Sequence, residues 1–398
     1  MKFDIRTLSD LSKNGKGEYG IGAAAVDYSD NLPTYLRITD INDDGTLNIG
    51  GLKSVDDPEA HNYFLQPNDI VFARTGASTG RNYFYDGSDG LFVYAGFLIK
   101  FSLDEKKVNP KYIKYYCLSQ KYKNWIRSFS TGSTRGNINA QTLGTMEITL
   151  PPRDVQDKIV GIADSIDKKI KVNNAINDNL QQQVFAMYRQ LFVETPSDNR
   201  KVCRAEQYFD ISIGKTPPRK EPEWFTTIHS DNAVWVSISD MGNCGLFITD
   251  SSEYLTPAAV DKFNVVTVPD NTVILSFKLT VGRIAISDGC LTTNEAIAHF
   301  KTENKAINEY LYCYLKSYNF QTLGSTSSIA TAVNSKIIKA MPFIVPTDEE
   351  ITLFHDFAAP IFEKIKACQH ENSRLTELRD TLLPKLMSGE IDVSEVEI

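Results

Sequence analysis

Six cysteines in 398 residues, none forming a C-x-x-C pair, leave no zinc ribbon, thioredoxin-like dithiol or disulfide framework to read. Cys117, Cys203, Cys244, Cys290, Cys313 and Cys368 are expected to be small apolar residues. Uninterrupted apolar runs of the roughly 18–20 residues that a bilayer span needs are missing, and Met1-Lys2-Phe3-Asp4 does not open a signal peptide. The expectation is a soluble cytoplasmic protein with no membrane partner. Positive charge is in deficit, with 42 Lys and Arg against 50 Asp and Glu and a net charge of −8. Domains that grip nucleic acid by bulk attraction tend to be basic, so any DNA contact must use local clusters or partner surfaces.

Catalytic motifs are absent as well. His61, His229, His299, His355 and His370 form no H-E-x-x-H, and there is no G-x-x-x-x-G-K-[ST], which excludes a zincin and a P-loop motor. Gly20-Ile21-Gly22 starts like a dinucleotide fingerprint but lacks a preceding apolar strand, so it reads as a structural turn. Pro151-Pro152 and Pro217-Pro218 lack the following aromatic on which a base-flipping methyltransferase would stack an adenine. Glu105-Lys106 and Glu363-Lys364 read as solvated faces rather than nuclease sites. No catalytic residue and no metal ligand is assigned.

What the chain does contain is a duplication. Tyr35-Leu36-Arg37-Ile38-Thr39-Asp40 matches Trp235-Val236-Ser237-Ile238-Ser239-Asp240, and both read as strands. The strand Asp69-Ile70-Val71-Phe72-Ala73-Arg74 followed by Gly80-Arg81 matches Thr272-Val273-Ile274-Leu275-Ser276-Phe277 followed by Gly282-Arg283. Asn139, Met146 and Pro151 align with Asn334, Met341 and Pro346.

Each half ends in a long helical segment with a heptad seam. Ile166, Ile170, Asn173, Asn177, Leu180, Val184, Met187 and Leu191 step alternately by four and three, as do Ile361, Ile365, Cys368, Asn372, Leu375, Arg379, Leu382 and Leu386. The other reading is that each helix packs on its own domain as an ordinary amphipathic element. The mid-seam asparagines favour a coil, and an antiparallel pair would set Asn173 against Asn372 and Asn177 against Cys368. Pro360 and Pro384 predict that the terminal helix starts late and stops near Leu383.

Nucleic-acid contact is expected in four places. Lys111, Lys114, Lys121, Lys123, Arg127 and Arg135 alternate with Tyr112, Tyr115, Tyr116, Tyr122, Trp125 and Phe129; most of the aromatics read as helix core, and phosphate is the economical partner for the cations. Ser133, Thr134, Arg135 and Asn137 lie in a polar loop matched by Ser325, Thr326 and Ser328. The turns carrying Arg74, Thr75, Ser78 and Arg81 in one half, and Lys278 and Arg283 in the other, form a third set. Arg can read guanine and Asn adenine through paired hydrogen bonds.

These residues resemble the specificity subunits of type I restriction–modification systems. The boundary Leu150-Pro151-Pro152-Arg153-Asp154-Val155-Gln156-Asp157-Lys158-Ile159, the ending Leu378-Arg379-Asp380-Thr381-Leu382-Leu383-Pro384-Lys385-Leu386-Met387-Ser388-Gly389-Glu390-Ile391 and the duplication carry the likeness. Gly214-Lys215-Thr216-Pro217 also looks like the opening of the family's recognition domains, which adds Lys215, Thr216 and Arg219 as the fourth set; the first half has no such motif. The resemblance implies an α+β chain with two repeated globular target-recognition domains separated by two long antiparallel coiled-coil helices. The expected divisions are a first domain over 1–150, a central helix over 151–193, a linker over 194–200, a second domain over 201–345, and a terminal helix and tail over 346–398. It further implies double-stranded DNA, two modification (methyltransferase) subunits and restriction subunits as partners. The chain itself would bind no cofactor, and S-adenosylmethionine, ATP and Mg would sit on the partners. Two other readings are a related split-site methyltransferase system and a coiled-coil adaptor that does not bind DNA.

Overall fold

The computed structural model describes residues 3–129, 137–195, 200–323, 333–393 and 395–396. The chain divides into two compact units, Met1–Ile170 with Arg374–Ile398, and Lys171–Ser373. Both long helices contribute to each unit.

In the first unit the strand Asp4–Thr7 pairs antiparallel with Glu147–Leu150 and closes the globular part. One four-stranded sheet runs in the order Glu18–Tyr19, Leu98–Ser102, Asp69–Ala73, Asn82–Tyr85, and a second in the order Ala25–Val26, Lys53–Val55, Thr34–Leu36, Phe92–Tyr94. The second unit repeats this plan. Lys201–Arg204 pairs with Pro342–Val345, and Asp210–Ile213, Ile297–Lys301, Val273–Ser276 and Ile284–Ser287 reproduce the first sheet with Phe247–Ile248 added at its edge. Buried His299 joins this sheet to a second five-stranded one, ordered Phe225–Thr226, Tyr254–Leu255, Ala233–Val236, Leu291–Thr293, Thr267–Val268, lying 3.0 Å from Ser212 Oγ and 2.7 Å from Thr293 Oγ1. Burial pushes its pKa down to about 3, so it is a neutral structural bridge.

The aromatics of the basic stretch are core. Tyr112 and Tyr116, on the helix Pro110–Tyr116, donate to the carbonyls of Thr149 (3.1 Å) and Glu147 (2.8 Å). Tyr310 and Tyr314, on Asn308–Ser317, donate in the same way to Ile344 and Pro342, each at 2.8 Å. The duplication therefore extends to the pegs that fix each closing strand.

One expectation is corrected locally. The match at Tyr35 and Trp235 is strand only as far as Leu36 and Val236. Beyond it Ser237 caps the helix Ile238–Asn243, accepting from Asp240 N–H while Asp240 accepts from Ser237 N–H at 2.8 Å. Asp40 accepts from Arg37 N–H in the equivalent turn, also at 2.8 Å. The paired aspartates thus end strands rather than extend them.

The central helix spans Arg153–Tyr188 and the terminal helix Asp348–Ser388. Pro360 and Pro384 neither delay nor end the latter. Both are on its exposed side, while Ala358, Phe362, Leu383 and Leu386 beside them are buried and hold it in place. Near their outer ends the helices join domain cores: Val155, Ile159 and Ala163 pack with Leu383 and Leu386 in the first unit, and Val184 and Tyr188 with Phe354, Ala358, Phe362 and Ile365 in the second. Coil and domain packing are therefore both present.

Between those ends Asn173 Nδ2 donates to Asn372 Oδ1 at 2.9 Å and to Glu371 Oε2 at 2.8 Å, and Asn372 Nδ2 donates to Asn174 Oδ1. With Tyr188 against Phe354, this contact runs the helices antiparallel. Asn177 and Cys368 are both buried, though Asn177 Oδ1 finds no hydrogen-bond partner among the described residues. Ile166, Val184 and Ile365 are buried, whereas Ile170, Leu180, Leu191 and Leu375 are half-buried. The seam drifts where the domains take over: Phe362, Leu383 and Tyr188 are buried, while the expected Ile361, Leu382 and Met187 are half-buried.

Candidate nucleic-acid interface

Of the five described cations in the basic stretch, three are engaged by the fold. Lys111 pairs with Asp164 and Lys114 with Asp167 at 2.6 Å, and the Tyr115 hydroxyl donates to both carboxylates at 2.7 and 2.9 Å. These lysines dock the domain on the central helix, which corrects the expectation that phosphate would account for them. Lys121 donates to Thr149 Oγ1 at 2.8 Å. Lys123 and Arg127 are exposed on one face of the helix Gln120–Ser128, whose adjoining face buries Tyr122 and Ile126.

That helix seats the turn that follows Ala73. The Tyr122 hydroxyl donates to Gly80 O at 2.5 Å, and a Cβ on Gly80 (φ +87°) would come within 2.5 Å of Ile126. The frame of the turn is common to both units. Ala73 N–H donates to Arg81 O (2.8 Å) and Gly80 N–H to Ala73 O (2.9 Å); Ser276 N–H donates to Arg283 O (2.9 Å) and Gly282 N–H to Ser276 O (3.0 Å). The arginine after each glycine reaches back to brace the neighbouring aspartate turn. Arg81 Nη1 donates to Ile41 O at 3.1 Å and its Nε to Asp43 at 2.7 Å, while Arg283 Nη1 donates to Ile238 O at 2.5 Å. Ser78 is buried in the turn. Arg74 and Thr75 are partly exposed in the first unit, whereas Lys278, Leu279 and Thr280 are exposed in the second.

Leu279 was not singled out by the sequence. It is 98% exposed with φ +59°, a left-handed conformation that a branched aliphatic residue rarely adopts. Nothing in its hydrophobic character distinguishes it from a strand residue, so only the fold exposes it.

The opening of the first domain was also missed. Gly20 N–H donates to Leu98 O and Ile21 N–H to Tyr94 O, while Gly214 N–H donates to Ile297 O and Lys215 N–H to Thr293 O. Tyr35 Oη donates to Ile21 O at 2.8 Å and Trp235 Nε1 to Lys215 O at 3.1 Å. Gly20-Ile21-Gly22 is thus the counterpart of Gly214-Lys215-Thr216. In both, a Cβ on the first glycine would collide with backbone oxygen within 2.4 Å. Gly20-Ile21-Gly22 is an extended segment bridged to Ala95 rather than the expected turn, and the first half keeps the backbone environment of the second opening without its Gly-x-Thr-Pro sequence.

Around the second opening Lys215 is exposed, Thr216 bonds to Glu295, and Arg219 is bidentate to Glu253 at 2.9 and 2.8 Å while lying over Phe225 and Trp235. Burial works to raise the Glu295 carboxyl's pKa, but the Thr216 bond and nearby Lys278 and Arg219 hold it below its usual value. Glu295 therefore holds Thr216 directly, while Arg219 is held by Glu253. Asn137 is exposed and bridged to Thr75. Ser133, Thr134, Arg135, Ser325, Thr326 and Ser328 lie outside the described residues.

A family model of the type I restriction modification DNA specificity domain matches residues 2–182 and again 198–376. The specificity subunit of the type I restriction enzyme HindI from Haemophilus influenzae is 22% identical, covering 97% of this chain and 98% of that protein. The MjaIX specificity subunit of Methanocaldococcus jannaschii is 24% identical over 73% of this chain and 71% of its own length. Among solved structures, the S subunit of a type I restriction–modification system from M. genitalium aligns over 97% of this chain and 96% of that one, at 15% identity and a TM-score of 0.48. No helix among the described residues is long and apolar enough to cross a membrane. With the domain matched in both halves of a duplicated fold, the chain belongs to the type I restriction–modification DNA specificity family and is a specificity subunit with two target-recognition domains.

Proposed function

We propose that this subunit reads a bipartite double-stranded DNA target, one half-site per domain, and scaffolds two modification subunits and the restriction subunits that perform the chemistry. The observation that carries the reading is the shared turn frame, closed by the same hydrogen bonds in both units but presenting Arg74 and Thr75 in one and Lys278, Leu279 and Thr280 in the other. One scaffold with two side-chain sets suits two different base sequences. S-adenosylmethionine for adenine methylation, and ATP and Mg for restriction, belong to the partner subunits. The net charge of −8 and the engagement of many cations by the fold support a chain that relies on partners to close around DNA.

The purified chain alone is expected to transfer no methyl group from S-adenosylmethionine and to cut no DNA. Tight site-specific binding should appear only when modification subunits are added, as a gel-shift titration with and without them would record. Methyl transfer that persists in the highly purified single chain would refute the reading.

A further inference from the structure

We propose that Arg74 reads a guanine in the half-site of the first domain; this rests on the DNA-reading role above and assigns one base of it. Other cations of this domain have acidic partners: Arg37 pairs with Asp40 at 2.6 Å, Arg81 with Asp43 at 2.7 Å, and Lys100 with Glu18 and Asp69 at 3.1 and 3.7 Å. Among the described residues Arg74 pairs with no carboxylate and its buried Nε has no hydrogen-bond partner. A guanidinium kept this way forgoes hydrogen bonds that the free chain would make to water. Nothing among the described residues completes it.

The surroundings select the kind of partner. Arg74 N–H donates to Phe97 O at 3.0 Å and Arg74 O accepts from Ile138 N–H at 2.9 Å, so its backbone is pinned on both sides. The guanidinium lies 5.0 Å from the centre of the Tyr19 ring, and the Tyr19 hydroxyl is itself fixed by Ala140 N–H at 3.1 Å. Tyr19 is 43% exposed, which gives the fork an aromatic border open to solvent. Phosphate asks only for charge, which exposed Lys123 and Arg127 supply on the helix that seats the same turn. A fork held over an aromatic ring instead matches a planar pair of acceptors, the O6 and N7 of guanine. Pre-organisation limits the ordering cost of that contact.

The test uses the complete complex with modification subunits and a randomised DNA library. Arg74→Ala and Arg74→Lys should both remove the preference for guanine at one position of one half-site, by about 5- to 150-fold, and leave the other half-site unchanged. Replacing that guanine with 7-deazaguanine should weaken the wild-type complex and have little further effect on Arg74→Ala. Unaltered thermal unfolding of both variants shows that the domain is intact, and Arg74→Lys serves if Arg74→Ala does not fold. A half-site without a G·C pair, no change in preference, or uniform weakening restored by lysine would overturn the assignment. If the wild-type complex itself showed no sequence preference, the DNA-reading role would fall with it.

Discussion

Removing residues 168–174 together with 371–377 is expected to shorten the preferred spacer between the two half-sites by about three base pairs while leaving both half-site sequences unchanged. Asn173 faces Asn372 in an antiparallel pair, so these two heptads lie opposite each other. Taking seven residues from each preserves the seam and removes about 10 Å of helix, roughly three steps of B-DNA. The cut spares the contacts that anchor the helices to their domains: Asp167 with Arg379 in the first unit, and in the second Gln369, which bonds Phe247 N–H and O, with Lys366 and His370 on Asp288. Three base pairs also rotate one half-site about the DNA axis, so affinity for the original site is a poor readout. The preferred spacer in a library of sites is the quantity to measure. An unchanged spacer in a folded, assembled double deletion would show that the helices do not set the separation.

Asp167→Ala is expected to destabilise the first unit by about 2 kcal/mol, below the range for a fully buried ion pair because Lys114 and Asp167 stay partly exposed. Asp167 accepts from Lys114 at 2.6 Å, Arg379 at 2.8 Å and Tyr115 at 2.9 Å, and the Arg379 side chain is only 11% exposed. Burial acts to raise the carboxyl's pKa, yet Lys114 and Arg379 outweigh it and the pKa is lowered. Because the folded value lies below the unfolded one, the stabilisation is present above about pH 4 and disappears as pH falls through the folded value. Denaturant unfolding should therefore show a wild-type advantage that is constant from pH 7 to about pH 5 and shrinks in acid. The exposed first-turn Asp154→Ala should cost less than about 0.5 kcal/mol. Equal effects of the two variants would remove the network's structural role.

The parts of this molecule that the sequence displays are those encoded by spacing along the chain. Heptad steps exposed the two helices and the Asn173–Asn372 contact, and repeated strand patterns exposed the duplication. Pairings fixed only by the fold stayed hidden. Lys111 meets Asp164 and Lys114 meets Asp167 across 53 residues, so their charge looked available when it was already matched. Gly20 and Gly214 share one backbone environment with different following residues, which pattern alone does not equate. Pro360 and Pro384 are ordinarily helix breakers, but the packing of their buried neighbours outweighs that local preference. The turns were found from Gly-Arg pairs, although the arginines that marked them brace the fold and the side chains presented are Arg74 and Leu279.

The most direct test of the division of labour is a base-preference profile of the assembled complex with one domain altered at a time. Lys278→Ala combined with Leu279→Ala should change preference within one half-site only. Arg135→Ala should change it only within the other, each with the opposite half-site retained position by position. Changes spread over both half-sites by either variant, or none in either, would contradict the assignment of one half-site to each domain.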